Sequence, residues 1–190
     1  RVVAIQTDAS LRGWGATCQQ SQARGTWSNA TQEAPPPIAV LEAQAMLLAM
    51  QSFKEVARGN FVELISDNTT AVLYVRNGGG RNRRLTEVVR RIWEEAISIN
   101  AELITPSWIP THENTIPDKL SRLTDPHDWR LRKEIFERIR QRMGPLEIDR
   151  FADERNAQLP KFNTRWRAPS CLGPDAFAFA WRTSQGNYAL

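Results

Sequence analysis

The chain has 190 residues, 41% apolar and 24% charged, enough for one substantial core and a smaller appended unit. Two cysteines and two histidines cannot build a disulfide framework or a His/Cys metal set, no run is apolar for the length of a membrane span, and no signal peptide is recognisable. Net charge is only +4, yet arginine far outnumbers lysine and gathers at 76–91 and 130–142, as solvated helix faces or as a grip for phosphate. A reducing, intracellular setting is expected, cytoplasmic or nuclear. The abrupt start at Arg1, directly on an apolar run, reads as a piece of a longer polypeptide.

Val2-Val3-Ala4-Ile5 leads into Thr7-Asp8-Ala9-Ser10. Consecutive apolar residues predict a strand buried on both faces. A carboxylate at its end is costly to bury unpaired, so Asp8 is either a turn residue or an acid with a function. Trp14 to Gln20 and Arg24 to Ser28 read as two further strands, joined by turns at Leu11-Arg12-Gly13 and Ser21-Gln22-Ala23 into an antiparallel meander. Asn29 to Pro37 reads as a loop, stopped by Pro35-Pro36-Pro37. A long helix is predicted from Ile38 to Ala57, ended by Gly59. Glu42 shares a side of it with Met46, Ala49 and Phe53. It points into the protein or a cleft, or else answers the helix dipole.

Phe61 to Ser66 is the fourth predicted strand and again runs into an acid, Asp67. Asn68 and a helix from Thr69 to Val75 follow, so the junction is also a plausible cap. Asn77 to Arg81 is a turn, Leu85 to Ile99 a second long helix, and Glu102 to Trp108 a fifth strand that tolerates Pro106 only near an edge or end. A polar loop carries His112. Pro117 suits a first helical turn, which puts Asp118 at a helix N-terminus. Residues 128–143 form an amphipathic helix with Asp128 as its cap and Gly144-Pro145 as its stop. The stretch 146–190 is irregular but too aromatic for a disordered linker, with Asp149 and Asp175 in turn roles.

A strand–helix–strand unit makes its strands parallel and adjacent, so Asp8 and Asp67 stand side by side. Converging carboxylates raise one another's pKa, and a divalent cation removes that penalty. Hard oxygen donors without a His or Cys cluster point to Mg²⁺ or Mn²⁺.

The blocks TDAS with GWGA, LEAQA, SDNTTAV and ENTIPDKLSR resemble the four signature blocks of the ribonuclease H domain of reverse-transcribing elements. Trp108-Ile109-Pro110 and Asp118-Lys119-Leu120-Ser121-Arg122 are similar to long-terminal-repeat and DIRS-like (tyrosine-recombinase) elements. The downstream Asp128-Trp129, Ile148-Asp149-Arg150-Phe151-Ala152 and Asp175-Ala176-Phe177 resemble the extension of the DIRS-like ones. The resemblance implies an α/β, ribonuclease H-like fold: a five-stranded mixed sheet, three strands antiparallel and two parallel, flanked by helices. It implies a catalytic domain over 1–124 and a C-terminal extension over 125–190.

The implied activity is hydrolysis of the RNA strand of an RNA–DNA hybrid with two Mg²⁺ or Mn²⁺ ions roughly 4 Å apart, leaving 5′-phosphate and 3′-hydroxyl ends. Carried over block by block, the metal-binding acids are Asp8 (bridging), Asp67 and Glu42 (leaving-group side) and Asp118 (water side). Glu42 is also a candidate for contact with a 2′-hydroxyl. His112 reads first as a solvated loop side chain and second as an accessory to proton movement. Ser10, Asn68, Arg76, Arg81, Arg83 and Arg84 are the expected nucleic-acid contacts, with Asn68 equally readable as a helix cap. The implied partner is the reverse transcriptase polymerase domain of the same polyprotein; no membrane is involved, and the oligomeric state is open. Two other readings compete: an inactive or domesticated binding module that keeps the fold, and a DNA-cutting member of the same superfamily.

Overall fold

The computed structural model describes residues 1–124, 129–182 and 186–189. The predicted cap Asp128 lies outside them. Two compact units divide the chain, Arg1–Leu123 and Thr124–Leu190.

The first unit contains β1 (Val2–Ala9), β2 (Gly13–Cys18), β3 (Ser21–Thr26), α1 (Asn29–Glu33), α2 (Ile38–Ser52), α3 (Lys54–Ala57), β4 (Phe61–Ser66), α4 (Thr69–Arg76), α5 (Arg83–Ser98), β5 (Leu103–Trp108) and α6 (Thr115–Arg122). The five strands form one mixed sheet in the order β3-β2-β1-β4-β5. β1, β2 and β3 pair antiparallel, while β1, β4 and β5 pair parallel. This is the expected sheet, and Pro106 sits on its edge strand, where a missing N–H costs no ladder bond.

Four local readings differ from it. β1 is buried on one face only: Val3, Ile5 and Thr7 are buried, whereas Val2 and Ala4 are exposed, so the alternate face is open until Asp8. The hairpin between β2 and β3 turns at Gln19-Gln20, pairing Cys18 with Ser21. Gln19 takes the left-handed conformation there (φ 55°), an assignment that side-chain preference does not announce. Asn29–Glu33 is helical, capped by the Ser28 hydroxyl. The long helix breaks at Phe53 (φ −108°) into α2 and α3.

α2 lies at the centre of the core. Val40, Leu41, Ala43, Ala45, Met46, Leu47, Ala49 and Met50 are all buried, so it has little polar face of its own. α5 is the amphipathic partner, burying Leu85, Val88, Val89, Ile92 and Ala96. α6 packs against the sheet at Gly15: a Cβ there would lie 2.4 Å from the Pro117 carbonyl oxygen and 2.5 Å from Leu120 Cβ. Only glycine permits that approach. The Ser10 hydroxyl donates to the Ser121 carbonyl (2.7 Å), and Arg24 donates to the carbonyls of Leu120 and Leu123, so the end of α6 is tied to the meander.

The second unit is more regular than its sequence. It holds α7 (Lys133–Met143), then β6 (Leu146–Asp149), β7 (Lys161–Thr164), β8 (Gly173–Pro174) and β9 (Gly186–Tyr188). These strands form a four-stranded sheet in the order β8-β7-β6-β9, with every pair parallel. Strands of two to four residues fall below what periodicity detects, which is why 146–190 reads as irregular. α7 begins at Lys133, later than 128; residues 129–132 are not helical. Its Phe136 meets Tyr188 edge-on at 5.0 Å, in a small core with Leu159. Arg150 is fully buried and donates to Asn187 Oδ1 (2.8 Å), Asn163 Oδ1 (3.0 Å) and the Ala180 carbonyl (2.7 Å). Asp149 accepts from the Gln158 N–H (3.0 Å), and Asp175 accepts from the Phe177 N–H (3.1 Å); both acids serve turns.

Candidate active site

The parallel pairing of β1 with β4 matches Gln6 with Ile65. Continued for two residues, that register brings Asp8 level with Asp67, just past the end of β4. Glu42 reaches the same spot from the second turn of α2. One carboxylate oxygen from each of Asp8, Glu42 and Asp67 lies within 4.8 Å of the others. Burial is graded: Asp8 and Glu42 are 4% and 3% exposed, while Asp67 is half-buried. The cluster therefore opens to solvent on the Asp67 side.

Burial is the main reason both inner acids bind their protons more tightly than free carboxyls do. It pushes Asp8 from 3.8 up to about 6, against the pull of the Ser121 hydrogen bond and with help from the charges of Asp67 and Asp118. It pushes Glu42 from 4.5 up to about 9, reinforced by Asp8 and Asp67 and opposed by hydrogen bonds from the Ala9 backbone and the Ser66 hydroxyl. The Ser66 hydroxyl donates to Glu42 Oε2 at 3.3 Å. The Ser121 hydroxyl donates to Asp8 Oδ2 at 2.6 Å.

Asp118 is near but turned aside. Its charge is felt at Asp8, yet its carboxylate accepts from Arg122 Nε at 2.7 Å on the same face of α6. It is not part of the close trio. Asn114 anchors the loop before α6: it is fully buried, and its Nδ2 donates to the Thr7 carbonyl at 2.9 Å. Its Oδ1 is buried with no hydrogen-bond partner among the described residues.

The remaining predicted residues divide by what their polar atoms already do. Ser10 is buried, with its hydroxyl shared between the Ser121 and Gly13 carbonyls and the Arg12 and Gly13 N–H groups; it organises the β1–β2 turn. Asn68 caps α4, its Oδ1 accepting from the Ala71 N–H at 3.0 Å. Arg76 is exposed and donates to the Pro106 carbonyl (3.1 Å). Arg81, Arg83 and Arg84 are exposed around the start of α5. His112 sits in a short 3-10 turn, its side chain 81% exposed and 3.7 Å from Glu113.

Sequence reasoning assigned no role to Ser121, Asn114 or Trp108. Ser121 stands three residues after Asp118 on α6, a spacing that signals a shared helix face. Trp108 is half exposed and its indole N–H donates to the Asp67 carbonyl at 2.9 Å, bracing the backbone that carries the outermost acid.

The donor set suits a hard divalent cation: three carboxylates held together against their own repulsion, with no imidazole or thiolate among them. No protein-family model matches the sequence, and no curated protein does. Among solved structures, the chain is similar to ribonuclease H1 from the halophilic archaeon Halobacterium salinarum NRC-1, with a TM-score of 0.53 and 16% identity over 63% of this chain and 94% of that one. It is also similar to the N-terminal ribonuclease H domain of Rv2228c from Mycobacterium tuberculosis, with a TM-score of 0.50 and 16% identity over 63% and 89% of the two chains. The fold is ribonuclease H-like. Among the described residues no helix is long and apolar enough to cross a membrane.

Proposed function

We propose that the chain is a metal-dependent endoribonuclease that hydrolyses the RNA strand of RNA–DNA hybrids, as the ribonuclease H part of a DIRS-like reverse-transcribing element's polyprotein. The observation that carries the reading is the trio Asp8, Glu42 and Asp67, with oxygens within 4.8 Å, at the strand ends of a ribonuclease H-like sheet. Two of these acids are buried at a cost that packing does not repay. The four retroelement-like blocks supply the polyprotein context and the polymerase neighbour.

Asp8, Glu42 and Asp67 would hold Mg²⁺ or Mn²⁺, with Asp118 joining once it leaves Arg122. The chemistry a bound ion pair supplies is activation of water and neutralisation of charge on the scissile phosphate. The chain's own residues set the conditions. Glu42, raised to about 9, must give up its proton at neutral pH to act as a ligand. Ser121 keeps Asp8 Oδ2 directed and favours its ionised form. Trp108 and the cap at Asn68 fix the backbone on either side of Asp67. The exposed Arg81, Arg83 and Arg84 offer sequence-neutral contacts to phosphates, which are salt-sensitive by nature.

The test is cleavage of labelled RNA–DNA hybrid, duplex DNA and duplex RNA, with and without Mg²⁺ or Mn²⁺. The expected result is metal-dependent cutting of the hybrid's RNA strand to 5′-phosphate ends, lost in Asp67→Asn while hybrid binding persists. Equal cutting of duplex DNA would reassign the substrate. Hybrid binding without cutting in either metal would favour the binding-module reading.

A further inference from the structure

The second unit carries an aromatic column that the nuclease reading leaves unused. All four of its strands are parallel, so their carboxyl ends share one edge of the sheet. Phe151 follows β6 there, Arg165 follows β7, and Phe177 lies just past β8. Phe177 and Trp181 are stacked, with centroids 5.7 Å apart and planes at 21°. Phe151 closes the group at 5.6 Å from Phe177 and 6.1 Å from Trp181. The Arg150 guanidinium lies 5.3 Å from the centroid of Trp181. Exposure rises through this series, from 1% at Arg150 through 39% at Trp181 to 75% at Phe177.

A folded chain does not ordinarily leave three large rings together in water, and this group is built rather than loose. The Trp181 indole N–H donates to the Ala176 carbonyl at 3.1 Å. Arg150 is locked by its three hydrogen bonds. Arg165 is exposed, with its guanidinium 5.2 Å from the centroid of the Trp166 ring. Neither it nor Arg182, next to Trp181, pairs with a carboxylate among the described residues. The acids near the column are engaged by backbone N–H groups: Asp175 by Phe177, Asp149 by Gln158 and Asp153 by Arg155 and Asn156.

We infer that this carboxyl edge binds single-stranded nucleic acid, with a base stacking on the exposed Phe177, which Trp181 backs, and Arg165 holding a phosphate. Flat faces beside unpaired guanidinium groups match the alternation of base and phosphate along a single strand. Positive charge that no carboxylate among the described residues answers at Arg165 and Arg182, beside the rings, favours a polyanion over a neutral apolar partner. Stacking accepts any base, so RNA and DNA single strands are both ligands. The inference stands independently of the nuclease reading.

The test uses the full chain in EDTA with labelled oligothymidylate and oligouridylate of about 12 nucleotides. Binding is followed by anisotropy and by quenching of tryptophan fluorescence. Phe177→Ala should weaken binding by about tenfold, and Phe177→Trp should restore it. Trp181→Phe should keep the affinity within a few-fold while removing most of the quench. Arg165→Gln should lower the slope of log K against log salt by about 0.7. Unchanged affinity in Phe177→Ala, or no binding of single strands by the unaltered chain, overturns the inference. So does sedimentation showing that Phe177→Ala dissolves a dimer without touching oligonucleotide affinity, which would make the column a contact between copies.

Discussion

Glu42→Gln should make the catalytic unit more stable at neutral pH when no divalent ion is present, and the gain should vanish in acid. The folded unit raises Glu42 from 4.5 to about 9, so between those values the folded side chain is protonated and the unfolded one is ionised. A carboxyl whose pKa rises on folding favours the folded state below its unfolded pKa. It withdraws that support as pH climbs toward the folded pKa, at about 1.4 kcal/mol per unit. By pH 7 the loss is about 3 kcal/mol. Gln keeps the size of Glu and does not titrate. Its carbonyl can accept from Ser66, and its N–H groups can donate to Asp8 and Asp67, so no buried group is orphaned.

Amide hydrogen exchange of β1 and β4 reads the opening of this unit without interference from the other. In EDTA at pH 7, Glu42→Gln should slow exchange there by about 10²-fold relative to the unaltered chain, and at pH 4 the two should agree within a few-fold. Saturating Mg²⁺ should reverse the order, because only the full acid set gains binding energy from the ion. An equal difference at both pH values, or a less stable Glu42→Gln at pH 7, would refute the claim that this acid is buried against its charge.

Three further outcomes follow from the same geometry. Ser121→Ala removes the 2.6 Å donor that holds down the Asp8 pKa. The acidic limb of the pH–rate profile should therefore move to higher pH by about one unit, a loss worth about 1.5 kcal/mol. Gly15→Ala forces a Cβ to within 2.5 Å of α6. It should destabilise the catalytic unit by about 1–3 kcal/mol in urea titrations, as overpacking does. Arg122→Gln frees Asp118 from a partly exposed ion pair worth at most about 1 kcal/mol. The Mn²⁺ concentration for half-maximal cleavage should fall by up to about fivefold.

Strand order and the helix between β1 and β4 were legible because they follow from local rules: apolar runs, punctuation by Gly and Pro, and the handedness of a parallel crossover. The residue types at Asp8, Glu42, Asp67 and Asp118 were legible too, since acids in apolar surroundings are uncommon enough to be noticed. The direction in which each acid points depends on packing. Gly15 lets α6 settle on β2, which carries Ser121 onto Asp8 and leaves Asp118 against Arg122; no pattern within α6 contains that information. Ser10 looks like a free polar side chain in the sequence and Asn68 reads equally as a contact or a helix cap; only the fold shows both oxygens already engaged. The small sheet of the second unit is likewise a product of tertiary pairing. Strands this short have no periodicity, and the aromatic column exists only once four of them lie parallel and bring their carboxyl ends to one edge.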